Sequence, residues 1–134
     1  MIVVDASAVV EVIVQGPRAA AVGAVLADDG EWWAPEHFTI EVLSALRGLW
    51  LGRHLSDQGF AATTEQASQV AIATYRTSVL QSRIVELAPR LTTYDAAYVA
   101  LAETLRCPLV TLERRLRSTT GLDCRFLPER ALPY

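Results

Sequence analysis

Four acidic residues of this chain stand inside or at the end of apolar segments, and any fold for the chain must find a place for them. Asp5 ends the run Ile2-Val3-Val4. Glu41 interrupts Phe38-Thr39-Ile40-Glu41-Val42-Leu43. Asp95 opens Asp95-Ala96-Ala97-Tyr98-Val99-Ala100-Leu101. Glu113 follows Leu109-Val110-Thr111-Leu112. A lone buried carboxylate is costly unless something compensates its charge. A divalent cation would compensate all four at once, because hard cations choose carboxylate oxygens.

The segments between these acids alternate in type. Residues 1–5 form a short apolar run and read as a buried strand. Ser7 can cap a helix over 8–14, with Glu11 facing out, and Gly16-Pro17 breaks it. Residues 18–27 read as a helix, 32–34 as a strand and 36–51 as a helix whose apolar positions recur at helical spacing. Ser56-Asp57 starts a further helix to about Gln69. Residues 70–75 form a candidate strand and 78–87 a helix. Thr92 or Thr93 caps a strong helix over 94–105. A strand over 108–112, a helical turn over 113–117 and a last strand over 124–127 complete the chain.

Strands alternating with helices imply a parallel sheet covered on both faces. Ligands of such sheets bind outside the carboxyl ends of the strands. Asp5 and Glu113 both lie at such ends. Glu41 shares a helical stripe with Phe38 and Ala45, so it is expected to point inward. Each acid also has a plain structural reading. Asp5 and Asp95 can cap helices, Glu41 can reach solvent at a boundary, and Glu113 can be a surface charge. The ordered set argues for a shared site.

Composition removes other chemistries. The 134 residues suit one domain, and 51% of them are hydrophobic, enough for a single core. All 12 basic residues are Arg, so a phosphate-binding loop with its Lys and Schiff-base chemistry are excluded. The net charge of −3 gives no general attraction to nucleic acid, which local Arg clusters would have to supply. Cys107 and Cys124, with two scattered His, make no zinc site and read as small buried hydrophobes. No charge-free apolar run approaches the ~18 residues of a membrane span, and the first residues lack a basic leader. A soluble, cytoplasmic protein is expected.

The four segments resemble the motifs of the PIN-domain ribonucleases, specifically the VapC-type toxins of bacterial toxin–antitoxin modules. Val4-Asp5-Ala6-Ser7-Ala8 is similar to the first motif, and Glu41-Val42-Leu43-Ser44-Ala45-Leu46 to the second. The strongest likeness is the segment 91–103, Leu-Thr-Thr-Tyr-Asp-Ala-Ala-Tyr-Val-Ala-Leu-Ala-Glu. Residues 109–116, from Leu109 through Glu113 to Leu116, resemble the fourth. The family usually carries Asp where Glu113 stands, and the extra methylene requires a different rotamer to reach the same point.

The resemblance implies one PIN domain over 1–134: a three-layer α/β fold with a twisted parallel sheet of about five strands flanked by helices. It implies metal-dependent hydrolysis of RNA. Asp5 and Asp95 would hold Mg²⁺ or Mn²⁺, with Glu41 and Glu113 completing the acidic pocket and Ser7 and Thr111 orienting carboxylates. Arg114, Arg115 and Arg117 are candidate phosphate contacts, with Arg47 and Arg53 as further ones. Trp32, Trp33 and Trp50 are candidates for base stacking or for packing. A homodimer and a VapB-type antitoxin are the implied protein partners. Two rival readings are a PIN-fold binding module with a weakened site, and a phosphotransfer domain using Asp5, against which the absence of Lys argues.

Overall fold

The computed structural model describes residues 1–130 and Leu132. Five strands form one parallel sheet in the order β3-β2-β1-β4-β5. β1 is Ile2–Val4, β2 Trp32–Pro35, β3 Ala73–Tyr75, β4 Leu109–Val110 and β5 Phe126–Leu127. β1 pairs with β2 through Ile2 and Trp32 and with β4 through Val3 and Leu109. Val3 and Val4 are both fully buried although they point to opposite faces. That pattern belongs to a central strand with helices on either side, as the β-branched run demands.

The helices sort by crossover. α1 (Ala6–Ile13), α2 (Ala19–Ala27), α3 (Phe38–Leu51) and α4 (Asp57–Ser68) carry the chain outward from β1 to β3. α5 (Thr77–Leu87) and α6 (Thr93–Leu105) carry it back across the sheet to β4, and α7 (Arg114–Ser118) links β4 to β5. Right-handed crossovers put these two sets on opposite faces. The packing agrees: α1 touches α2, α3 and α4, whereas α6 lies on β1, β2 and β4 and against α5. The order reverses between β1 and β4, so the crevice at their carboxyl ends is a topological switch point.

Several expected boundaries move. β3 begins at Ala73 rather than residue 70, because β2 offers partners only to Ala73, Thr74 and Tyr75. β4 and β5 are two-residue ladders, shorter than expected. α1 is capped by Asp5, not by Ser7. Glu11 does not face out: it is 8% exposed, and its carboxylate accepts from the Arg18 backbone N–H at 2.6 Å and pairs with the Arg18 guanidinium at 3.3 Å. Gly16 makes room for this clasp, since a Cβ there would stand 2.5 Å from Glu11 Oε1. Glu11 is thus buried with its charge compensated, the condition under which burial is tolerated. No helix among the described residues is long and apolar enough to cross a membrane.

Candidate active site

The strand-to-helix turn after β1 sets the first acid. Asp5 N–H donates to Val110 O at 2.9 Å, which continues the β1–β4 ladder by one residue. Its carboxylate is 4% exposed. Oδ2 accepts from Thr111 Oγ1 at 2.5 Å and from Ser7 Oγ at 2.9 Å. Oδ1 accepts only a long contact from Ser7 N–H, at 3.4 Å. Ser7 Oγ in turn accepts from Leu112 N–H at 3.1 Å, and Thr111 Oγ1 accepts from Glu113 N–H at 3.0 Å. Two hydroxyls therefore stitch the ends of β1 and β4 together and fix Asp5 between them.

The other three acids come from different elements. Glu41 lies in the first turn of α3, Asp95 in the first turn of α6, and Glu113 is the N-cap of α7. Thr92 Oγ1 caps α6 by accepting from Asp95 N–H at 3.1 Å, which leaves the Asp95 carboxylate to other work. Asp5, Glu41, Asp95 and Glu113 together line a pocket of about 330 Å³, with Ala6, Ser7, Ser44 and Ala45 forming the rest of its wall. All four acids expected from the sequence are brought together, and Ser7 and Thr111 stand behind Asp5.

Electrostatics follow from burial. Desolvation pushes Asp5 up to about 6, against the hydrogen bonds of Thr111 and Ser7, which favour its charged form. Glu41 is pushed up to about 7, first by desolvation and further by the charges of Asp5, Asp95 and Glu113. The Tyr98 hydroxyl donates to Glu41 Oε2 at 2.9 Å and opposes that rise. Tyr98 was not singled out from the sequence. Its signal was available: it follows Asp95 by three residues, so the two share a face of α6. His37, one turn before Glu41, was also missed. Its Nε2 lies 3.8 Å from Glu41 Oε1, and burial lowers its pKa.

The basic and aromatic candidates divide. Arg114 and Arg115 are exposed at the start of α7. Arg117 is turned inward, donating to Thr111 O, Leu127 O and Pro128 O at 2.7 to 2.8 Å. It clamps the strand ends behind the pocket. Arg47 and Arg53 are exposed. The three Trp have structural partners: Trp32 donates to Asp29 O, Trp33 donates to Glu31, and Trp50 stacks on Phe60 at 4.7 Å. Cys107 and Cys124 are partly rather than fully buried, and both are free thiols.

The donor set suits a hard cation. Every pocket acid offers carboxylate oxygen, no Cys lines the pocket, and Asp5 Oδ1 keeps acceptor capacity that Ser7 barely uses. Among the described residues no group of three His, Cys, Asp or Glu side chains forms a ready-made metal cage. The acids line an open pocket rather than a closed coordination shell.

Comparison with known proteins shows the family. The PIN domain family model matches residues 2–122. Ribonuclease VapC12 of Mycobacterium tuberculosis is 35% identical over 121 residues, which cover 90% of this chain and 93% of that protein. The chain belongs to the PIN-domain family, among the VapC proteins. Ribonuclease VapC9 of the same organism is 34% identical to this VapC chain over 124 residues, 92% of the chain and 94% of the relative. The crystal structure of Mycobacterium tuberculosis VapC20, a sarcin-ricin loop cleaving toxin, superposes with a TM-score of 0.66 at 14% identity. It covers 92% of this chain and 97% of that one, a likeness of fold. The expected parallel five-stranded α/β fold is thereby borne out.

Proposed function

We propose that this VapC protein, one PIN domain over residues 1–134, is an endoribonuclease toxin that hydrolyses RNA phosphodiester bonds. The observation that carries the reading is the convergence of Asp5, Glu41, Asp95 and Glu113, from four separate segments, on one pocket at the switch point of the sheet. Curated relatives named as ribonucleases over nine-tenths of the chain support it.

Asp5 and Asp95 would hold a divalent cation, Mg²⁺ or Mn²⁺, with Glu41 and Glu113 beside it. When bound, such a cation supplies positive charge to the phosphate and lowers the pKa of water. The chain's own residues do the rest. Thr111 and Ser7 favour the charged form of the Asp5 carboxylate and aim it. Glu41, poised near neutrality by its surroundings, can take a proton from an incoming water, and Tyr98 holds its Oε2. Arg114 and Arg115 give an acidic pocket a basic rim for the phosphate chain. The protein would act in the cytoplasm as a homodimer, neutralised by a VapB-type antitoxin.

Glu113 favours a second reading, a weakened PIN-fold module that binds RNA or antitoxin without cutting. One experiment separates the two: induced expression of the wild type beside Asp5→Ala, with cleaved RNA ends mapped. Growth arrest and new ends in the wild type alone support the nuclease. Arrest and cuts that persist in Asp5→Ala would sink the mechanism, and arrest without cuts would select the binding module.

A further inference from the structure

Next to the acids lies a second recess that the four-carboxylate chemistry does not use. It measures about 390 Å³ and is lined by Glu36, His37, Thr77, Ile84, Thr93, Tyr94 and Ala97. Two chain connections tie it to the acid pocket. Tyr94 immediately precedes Asp95, and His37 lies one helical turn before Glu41.

Tyr94 is 57% exposed, with one aromatic neighbour. The His37 ring meets it edge-on, with centroids 5.2 Å apart and planes at 75°. The other side of the story is Tyr98, which meets His37 at 5.3 Å and 77° while donating to Glu41. A chain of three rings thus runs from Glu41 outward to Tyr94. Two edge-to-face contacts are a stabilising arrangement of such rings. An exposed aromatic face braced by His37, which itself stands 3.8 Å from Glu41 of the acid pocket, has the form of a base-stacking platform, since every base presents a π-face. The recess beside it also offers Thr93, Thr77 and Glu36, whose hydroxyls and carboxylate match the amino and ring N–H groups of a base edge. No Arg or Lys lines it, so it is built for the base rather than for the phosphate.

We propose that the recess beside Tyr94 is a nucleobase subsite, stacking on Tyr94 one base that adjoins the scissile phosphate. This rests on the nuclease reading above. His37 is a positioning residue that holds the platform. An unpaired base is required, so the substrate strand at this point is single-stranded or looped.

The test uses the full chain and a short single-stranded RNA of defined sequence, with binding read in chelator, where cleavage is off, and cleavage read in Mg²⁺ or Mn²⁺. Tyr94→Ala should weaken binding roughly five- to hundred-fold, and Tyr94→Phe should bind as the wild type does. Each nucleotide is then replaced in turn by an abasic one. One position should weaken the wild type strongly and Tyr94→Ala no further. Equal losses in both proteins at every position would overturn the subsite, as would Tyr94→Ala that binds and cuts like the wild type. Loss of antitoxin binding alone in Tyr94→Ala would assign the face to the protein partner instead and also overturn it. A wild type that neither binds nor cuts any RNA fails at the earlier step, the nuclease reading itself. Unchanged melting temperatures establish that the variants are folded, as expected for an exposed side chain.

Discussion

Tyr98 donates its hydroxyl to Glu41 Oε2 at 2.9 Å across a sequence separation of 57 residues. The bond joins the first turn of α3 to the second turn of α6, the helix that carries Asp95. It favours the ionised form of Glu41, which desolvation has pushed up to about 7. Tyr98→Phe removes the donor and keeps the ring in a site that is 0% exposed. Glu41 should then become harder to ionise. The acidic limb of the pH–rate profile for RNA cleavage should move to higher pH, with folding retained. An unmoved limb would remove Glu41 from the proton-handling role.

Stability of the metal-free protein should fall as pH rises. Burial pushes Asp5 up to about 6 in the folded chain from an ordinary 3.8, and Glu41 up to about 7 from 4.5. Both folded values are raised, so the folded state binds more protons between about pH 4 and 7. The stabilisation from these groups is fully present below the unfolded values and is lost as pH climbs through the folded ones. A melting series in chelator should therefore decline from pH 5 to pH 8 over this window. Millimolar Mg²⁺ or Mn²⁺ should raise the melting temperature more at pH 8 than at pH 5. A flat response to metal at both pH values would count against cation binding by these acids.

Thr111 is 0% exposed and serves two neighbours, donating to Asp5 Oδ2 and accepting from Glu113 N–H. Thr111→Val keeps the shape, takes one donor from Asp5 Oδ2 and leaves the Glu113 N–H without its acceptor. A buried group left without its partner costs about 1–3 kcal/mol, so the midpoint of urea unfolding at neutral pH should drop accordingly. Cleavage should fall as well, because Asp5 keeps only its Ser7 contacts and gains freedom to turn. Thr111→Ser should restore most of both.

At Gly16 the tolerance for a side chain is set by Glu11. A Cβ would meet the Glu11 carboxylate at 2.5 to 2.6 Å, within a clasp that also holds the Arg18 N–H. Gly16→Ala should destabilise the fold by about 1–3 kcal/mol, as overpacking does, while leaving RNA-cleavage kinetics intact below the melting transition. Differential scanning calorimetry reads the first and a fluorogenic RNA assay the second.

These particular residues also mark where sequence reasoning carried and where it stopped. The order of strands and helices was legible because β-branched runs and 3.6-residue stripes have different periods. The inward turn of Glu41 was legible for the same reason, from its stripe with Phe38 and Ala45. Glu11 was misread because an acid amid Val and Ile on a short helix looks solvated, and its partner Arg18 lies beyond a Gly-Pro break. The Ser7 cap was misread because the helix starts earlier, with Asp5 accepting from the Ser7 N–H, and because the Ser7 hydroxyl is taken by Asp5 and the Leu112 N–H. Arg117 looked like its exposed neighbours Arg114 and Arg115, since nothing local announces three carbonyls supplied by Thr111 just past β4, Leu127 of β5 and Pro128 after it. Tertiary partners decide such side chains, and pattern alone does not contain them.

Asp5→Asn should trade function for stability. Raising Asp5 from 3.8 to about 6 corresponds to about 3 kcal/mol of unfavourable folding energy once the group is ionised, at pH 7 and above. Asn keeps the size of the side chain and its acceptor oxygen toward Thr111, and it carries no charge to desolvate. The metal-free variant should therefore melt above the metal-free wild type at pH 8, and the difference should shrink toward pH 5, where Asp5 is protonated. The same variant should lose RNA cleavage and most of the thermal shift produced by Mg²⁺ or Mn²⁺. Such a pairing belongs to a carboxylate kept for its charge, since Asn serves as an N-cap about as well as Asp does. A variant less stable than the wild type at pH 8 would show that the Asp5 carboxylate is retained for the β1–β4 junction and not for the chemistry of the pocket.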